Sequence, residues 1–219
     1  MLRSILSGLL DLLFPPCCPG CRKAVTVQGE WCRVCLTLVW APRELDLASH
    51  GVTALDACFV VCNYTAGVQK LVREMKFRKG RRYGCHLNWL LNQVQDFSRL
   101  GPIDSVIPVP LSPERLKVRG YNQTEVIFRP WAQARQLPWC NGLRRLKATL
   151  PQWELTLAER RKNIKGAFQV TRPEIVQDKQ ILLVDDLFTT GTTMNECAKV
   201  LKKAGAKRVV GLAIASGAQ

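Results

Sequence analysis

Histidine is nearly missing from this chain. His50 and His86 are the only two in 219 residues, and neither has a catalytic-looking setting, so Ser-His-Asp chemistry has little to stand on. No Gly-x4-Gly-Lys-[Ser/Thr] occurs, which removes a P-loop nucleotidase. Acids are scarce, 17 Asp and Glu against 32 Lys and Arg, for a net charge of +15. That field favours polyanions (nucleic acid, pyrophosphate-bearing substrates or an acidic surface) without choosing among them. The apolar stretch at residues 1–14 is too short to span a bilayer. Asp11 interrupts it, no small-x-small cleavage site follows, and Pro15-Pro16 before Cys17 does not suit a lipoprotein.

What is present is 47% hydrophobic, enough for one α/β domain plus something small, with nothing suggesting long disorder. Ten cysteines in a chain with such a core fit an intracellular protein better than a small disulfide scaffold. Leu2, Ile5, Leu6, Leu9, Leu10 and Leu13 share one helical face, so residues 1–14 are expected to form an amphipathic helix docked on the body or on a partner.

The organising stretch is Ile181 to Thr193. Ile181, Leu182, Leu183 and Val184 read as a strand buried on both faces, with Asp185 and Asp186 projecting from its carboxyl end. Thr189, Thr190, Gly191, Thr192 and Thr193 form a small hydroxyl-rich turn, and Met194 to Ala204 is helical with Met194, Cys197, Ala198, Leu201 and Ala204 on one stripe. Unpaired N–H groups around Gly191 can hold an anion against the positive end of that helix, while the two carboxylates accept from sugar hydroxyls. Helix capping explains one or two of these residues, but not the whole set in order. The pattern asks for a phosphorylated sugar.

Two C-x2-C pairs, Cys18/Cys21 and Cys32/Cys35, lie ten residues apart. Each tight turn aims two thiolates at one point, and two such turns complete a closed, structural zinc site. Cys17 beside Cys18 leaves a one-residue ambiguity. The segment 15–40 is too small for its own core, so the metal would supply much of its fold. Residues 41–56 read as a linker. Ala57 to Tyr64 reads as a strand, with Cys58 and Cys62 on one face as core residues.

Gly67 to Lys79 is a helical run carrying Lys70, Arg73, Lys76, Arg78 and Lys79, continued by Arg81 and Arg82, with Glu74 the one acid among them. A solvated helix face is the usual meaning of such a run. Its density, with Phe77 and Tyr83 interleaved, makes Lys76, Arg78, Lys79, Arg81 and Arg82 the candidates for contact with a single-stranded nucleic-acid backbone. His86 to Phe97 reads as a core-packing helix. Ile103 to Pro110 is a buried strand, and Arg115, Lys117 and Arg119 follow in a cationic loop at its carboxyl end, where α/β folds bind ligands and where pyrophosphate could be neutralised. Asn122 to Gln136 is helical with a kink or break expected at Pro130. Leu143 to Ala148 is a basic strand, and Arg208 to Ala215 closes the chain as a strand. Strands alternating with helices imply a parallel sheet covered on both faces.

Asp185-Asp186 followed by Thr189-Thr-Gly-Thr-Thr193 resembles the type I phosphoribosyltransferase motif. That resemblance implies the type I phosphoribosyltransferase fold over 57–219, with Asp185 and Asp186 on the ribose 2′ and 3′ hydroxyls of 5-phosphoribosyl-1-pyrophosphate (PRPP) and Thr189 to Thr193 on its 5′-phosphate. More narrowly, Pro108-Val-Pro-Leu111, Arg115, Arg119-Gly-Tyr-Asn-Gln123, then Gln152, Leu155, Arg160, Asn163 and Gly166-Ala-Phe168, with the four cysteines ahead, resemble the ComF family of competence-associated proteins over roughly 15–215. The resemblance implies a pyrophosphate loop at Pro110, Leu111 and Ser112, joined by Arg115 and Arg119. It also implies a closing loop over 150–166, whose Arg160, Arg161, Lys162 and Lys165 shield PRPP from water.

The chemistry implied is phosphoribosyl transfer from PRPP with Mg²⁺, in which Asp185, Asp186 and Arg160 form the catalytic set. No acceptor can be named, and the chain ends at Gln219 straight after its last strand, without the hood a salvage enzyme uses to cover a nucleobase. Two expectations therefore stand side by side. One is a PRPP-binding enzyme. The other is a single-stranded-DNA-binding or adaptor protein on the same fold. In either case the resemblance implies DNA uptake or use of external DNA as nutrient. It would act from the cytoplasm or the inner face of the membrane, with a helicase-like or DNA-uptake partner.

Overall fold

A computed structural model of the chain describes residues 15–146 and 163–217. The helix expected over 1–14, and Arg160, Arg161 and Lys162 of the expected closing loop, lie outside the described residues. In chain order the elements are α1 (Arg33–Val39), β1 (Trp40–Glu44), β2 (Ala57–Asn63), α2 (Ala66–Phe77), α3 (Gly84–Gln93), β3 (Ser105–Pro108), α4 (Pro113–Arg119), α5 (Gln123–Ala134), β4 (Leu143–Arg145), β5 (Phe168–Val170), β6 (Gln180–Phe188), α6 (Thr192–Lys203) and β7 (Arg208–Ser216).

Five strands form one sheet in the order β1-β2-β7-β6-β3. The pairings that join β2, β7, β6 and β3 are parallel, and β1 runs antiparallel along the edge against β2. β6 and β7 lie side by side, Ile181 opposite Val209 and Leu183 opposite Gly211. Ile181 to Val184 of β6 and Val209 to Ala215 of β7 are apolar on both faces, as strands covered by helices on either side must be. β4 and β5 make a separate two-stranded sheet.

One face of the sheet packs against Val68, Leu71, Val72 and Met75 of α2, Leu87, Leu90 and Leu91 of α3, and Ile127, Phe128 and Trp131 of α5. The other packs against Met194, Cys197, Ala198 and Leu201 of α6, together with Val52, Leu55 and Phe168. The neighbouring strands β3 and β6 thus hand the chain to opposite faces, which opens a crevice beyond their carboxyl ends.

Several elements depart from expectation. The stretch 41–56, read as a linker, contributes to the body. Its first residues continue β1 along the sheet edge, and Leu45, Val52 and Leu55 are buried against α6's face of the sheet. Residues 113–119, read as a loop, are helical, because Ser112 supplies the N-cap, Pro113 opens the first turn, and Gly120 at φ +82° ends it. Pro130 lies inside α5 without ending it. Cys58 and Cys62 are both buried core residues, and the even register that pairs Cys58 with Gly211 and Cys62 with Ala215 keeps them on one face of β2, as expected. Burial pushes each thiol up to about 12. Among the described residues, no helix is long and apolar enough to cross a membrane.

Candidate functional site: an acidic pair, an open helix terminus and a cationic bank

β6 runs on through Phe188, so Asp185 and Asp186 sit within the strand rather than beyond it, 8% and 3% exposed. Burial is tolerated because each carboxylate has partners. The Asp186 N–H donates to Asp185 Oδ1 at 2.8 Å and the Thr124 hydroxyl donates to the same oxygen at 3.3 Å. The Lys76 ammonium lies 2.8 Å from Asp186 Oδ2. Burial first, then the neighbouring Asp186 carboxylate, pushes the Asp185 carboxyl up to about 8, against the pull of Lys76.

The turn after β6 depends on Gly191. Its φ is +69°, and a Cβ there would stand 2.5 Å from Val52 Cγ2 and 2.6 Å from Phe188 Cζ, so a side chain has no room. α6 then starts at Thr192 with no side-chain cap and no acid in its first turn. Its leading N–H groups and dipole are directed at whatever occupies the crevice. The Asn195 amide oxygen accepts from the Thr53 and Ala54 N–H groups at 3.0 and 2.9 Å, pinning the 45–55 segment over this first turn.

A cavity of about 830 Å³ gathers most of the expected site. Asp185, Asp186, Thr189, Gly191, Thr192 and Thr193 line one bank, and Pro110, Leu111, Arg115 and Arg119 the other. Ser112 is not among them, because its buried side chain accepts from the Arg115 N–H as the cap of α4. Thr190 turns into a neighbouring cavity of about 470 Å³ with His50, Lys165 and Lys199, while its hydroxyl stays 2.8 Å from that of Thr192.

Arg119-Gly-Tyr-Asn-Gln123 acts as a brace. Arg119 Nε donates to the Lys76 carbonyl at 3.1 Å, its guanidinium also bonds Gln123, and Tyr121 Oη donates to the Met75 carbonyl at 2.7 Å. These bonds satisfy carbonyls at the end of α2 that the helix itself cannot. Asn122 Nδ2 donates to the Val109 carbonyl at 3.0 Å and its Oδ1 caps α5 by accepting from the Thr124 N–H. One pentapeptide therefore ties α2, the end of β3 and the start of α5 around the acidic pair.

Of the cations expected to contact nucleic acid, Lys76 belongs elsewhere: it turns inward to Asp186 and lines the cavity. Arg78, Lys79, Arg81 and Arg82 are exposed and lie outside the cavity lining. Arg78 pairs with Glu74 at 3.1 Å and Arg82 stacks over the Tyr83 ring at 5.0 Å. Sequence reasoning passed over Arg145, Arg73 and Tyr64, which also line the cavity. Arg145 is buried and lies 5.5 Å over the Phe168 ring. Its place follows from strand alternation, since β4 buries Leu143 and Arg145 and exposes Arg144.

Cys18, Cys21, Cys32 and Cys35 converge, with their Sγ atoms all within 4.8 Å of one another. Cys17 does not join them, because its thiol donates to the Pro15 carbonyl at 3.2 Å. Burial opposes ionisation of Cys18, yet the N–H groups of Cys21, Cys32 and Gly20 bring its thiol down to about 7. Burial and the neighbouring thiols raise that of Cys35. Four soft sulfur donors at this spacing could hold one metal ion. The cluster rests on the body. Gly20 lies against Cys35 and Gly67 of α2 against Trp31, each too close for a side chain. The Trp31 indole N–H donates to the His86 carbonyl at 3.0 Å.

A family model for the phosphoribosyl transferase domain matches residues 143–217. Competence protein F of Haemophilus influenzae is 30% identical over 200 residues, covering 88% of this chain and 86% of its own length. DNA utilization protein YhgH of Salmonella typhimurium is 33% identical over 198 residues, with the same coverage of each. The chain belongs to the ComF family. As a ComF-family protein it carries a phosphoribosyltransferase domain preceded by a four-cysteine cluster. Among solved structures, a glutamine PRPP amidotransferase from B. subtilis aligns at 21% identity and TM-score 0.37, over 63% of this chain and 26% of that one, so this chain spans about a quarter of that enzyme.

Proposed function

We propose that this ComF-family protein binds PRPP with Mg²⁺ in the 830 Å³ cavity and serves DNA uptake or the use of external DNA as nutrient. One observation carries the ligand reading: buried acids, an uncapped helix terminus and a cationic bank face one cavity. A phosphorylated ribose carrying pyrophosphate has those groups in complementary order. Asp185 and Asp186 take the ribose hydroxyls, and the turn 189–193 takes the 5′-phosphate on backbone N–H groups. Arg115 and Arg119 offset pyrophosphate charge, which favours its departure if a transfer occurs. Mg²⁺ would enter with the pyrophosphate. Four cysteinates suit Zn²⁺, held as a structural ion. The biological setting is supported by relatives named for competence and DNA utilization. In that setting the chain works on the cytoplasmic side with a helicase-like or uptake partner.

Calorimetric titration of PRPP and Mg²⁺ into the wild type and the Asp185→Asn/Asp186→Asn variant tests this. Binding is expected in the first and not in the second, with both folded and metal-loaded. Equal binding would reject the site. A second reading, a single-stranded-DNA-binding adaptor on this fold, is favoured by one feature, the exposed cluster Arg78, Lys79, Arg81 and Arg82 outside the cavity.

A further inference from the structure

Two groups that line the acid-bearing cavity, Lys76 and Asp186, neutralise one another. Lys76 Nζ stands 2.8 Å from Asp186 Oδ2, with the lysine side chain 24% exposed and the carboxylate buried. The contact is one of charge without hydrogen-bond alignment, so Asp186 Oδ2 has no hydrogen-bond donor among the described residues. A buried oxygen in that condition is costly, and a hydroxyl that donated to it would recover the deficit. That hydroxyl must first displace the ammonium. The backbone beneath the ammonium is fixed independently of its side chain. The Met75 carbonyl accepts from Tyr121 Oη at 2.7 Å and the Lys76 carbonyl from Arg119 Nε at 3.1 Å. Lys76 can therefore swing on its flexible stem without disturbing the end of α2. Arg119 is tied to the Lys76 carbonyl and to Gln123, so it stays in the bank while Lys76 moves.

Displacement has opposite consequences for two related ligands. A ribose hydroxyl supplies the donor that Asp186 lacks, but it leaves a partly buried ammonium without a counter-charge. A ligand that also carries an anion at C1 restores that counter-charge inside the same cavity, so one ion pair is exchanged for another. A ligand without it does not. We propose that Lys76 is a specificity-determining residue: it yields Asp186 to a ribose hydroxyl when the ligand brings a C1 anion to receive its ammonium, and it holds Asp186 against a phosphorylated ribose lacking that anion. The site thereby selects PRPP over ribose 5-phosphate, which carries the same sugar and the same 5′-phosphate. This deepens the PRPP reading above and rests on it.

The test titrates PRPP and ribose 5-phosphate, each with Mg²⁺, into the metal-loaded full chain by calorimetry. The readout is the ratio of the two affinities, which a merely structural role would leave alone because it would weaken both ligands together. In Lys76→Met the preference for PRPP is expected to fall by about tenfold, the scale of one charge-assisted hydrogen bond. Ribose 5-phosphate should bind this variant no more weakly than it binds the wild type. Lys76→Arg, which keeps a cation at the position, should retain most of the preference. Lys70→Met, which removes an exposed cation from the same helix, should behave as the wild type. An unchanged ratio in Lys76→Met overturns the proposal, and so does an equal fall in Lys70→Met, which would assign the effect to net charge. A second measurement needs no variant: acetylation of the wild type, read at Lys76 by mass spectrometry. Lys76 should be modified more slowly with saturating PRPP than with saturating ribose 5-phosphate, and equal rates overturn the proposal even where Lys76→Met does not fold. Neither ligand binding the wild type rejects the PRPP reading and this inference with it. PRPP binding that depends on Asp185 and Asp186, with the ratio unchanged in Lys76→Met, keeps that reading and rejects the role of Lys76 alone.

Discussion

Lys76 Nζ stands 2.8 Å from Asp186 Oδ2, so a residue of the basic run is committed to the acidic pair of a strand 110 positions away in sequence. Its side chain is a quarter exposed, whereas that of Asp186 is almost wholly buried. The pair has two consequences. It gives a carboxylate held almost wholly out of water a charged partner, and it occupies a carboxylate that a sugar hydroxyl would need.

Removing Lys76 should therefore weaken the fold. Lys76→Met keeps most of the stem and leaves Asp186 without its ion partner. A loss of about 2 kcal/mol is expected, below the range for a fully buried pair because water reaches Lys76. Urea unfolding measures it, and adding Asp186→Asn should recover part of the loss. A Lys76→Met midpoint equal to the wild type would show that the pair carries no stability.

Asp185 gives a pH signature. Its carboxyl is raised by burial and by Asp186 from 3.8 to about 8, so between those values the folded chain binds more protons than the unfolded one. Stability contributed by the neutral acid is complete below about pH 4 and is lost as pH rises through about 8, with a slope no steeper than about 1.4 kcal/mol per pH unit for one proton. Asp185→Asn should remove that component, so wild type should lose more stability than the variant between pH 5 and pH 8. Parallel curves for the two proteins would contradict the buried neutral acid.

Much of this site was legible because its acidic pair, turn and helix are contiguous. Asp185 to Thr193 form one strand–turn–helix unit, and local chemistry suffices to read it. Residues brought in by packing were harder. Lys76 lies on a helix whose cations look equivalent in sequence, and only the crossing of α2 near β6 turns it from its neighbours. Arg145 needed the pleat of β4. Ser112 is a different case: Ser-Pro-Glu is a helix start, with Ser as cap, Pro at the first position and an acid in the first turn, and reading it as loop overlooked that signal. The segment 41–56 looked like a linker because edge pairing with β2 leaves no strong local pattern. Cys17 and Cys18 could not be told apart by spacing, and hydrogen bonding separates them.

That separation predicts distinct variants. Cys17 donates to the Pro15 carbonyl and Cys18 belongs to the four-thiol cluster. Cys17→Ser should retain one zinc per chain by metal analysis, and Cys18→Ser should lose it. Because Trp31 packs on Gly67 and bonds the His86 carbonyl, metal loss should also loosen the start of α2, seen as a change in tryptophan fluorescence on chelation. Metal retained by Cys18→Ser and lost by Cys17→Ser would reverse the ligand assignment.

The exposed cations after α2 allow the two readings of function to be separated in one protein. Arg78, Lys79, Arg81 and Arg82 are exposed and lie outside the lining of the acid-bearing cavity, so reversing all four to Glu leaves the bank formed by Arg115 and Arg119 in place. If these cations track a phosphate backbone, single-stranded DNA affinity should fall by at least tenfold at low salt. The slope of log affinity against log salt should flatten by about 0.7 for each phosphate no longer neutralised. PRPP binding should stay at the wild-type level, since no altered residue reaches the acids or the turn. DNA affinity unchanged in the reversed protein would remove this cluster from the interface. A parallel loss of PRPP binding would instead mean that the cluster feeds the cavity by long-range attraction, a contribution that should fade as salt shortens the screening length to roughly 8 Å.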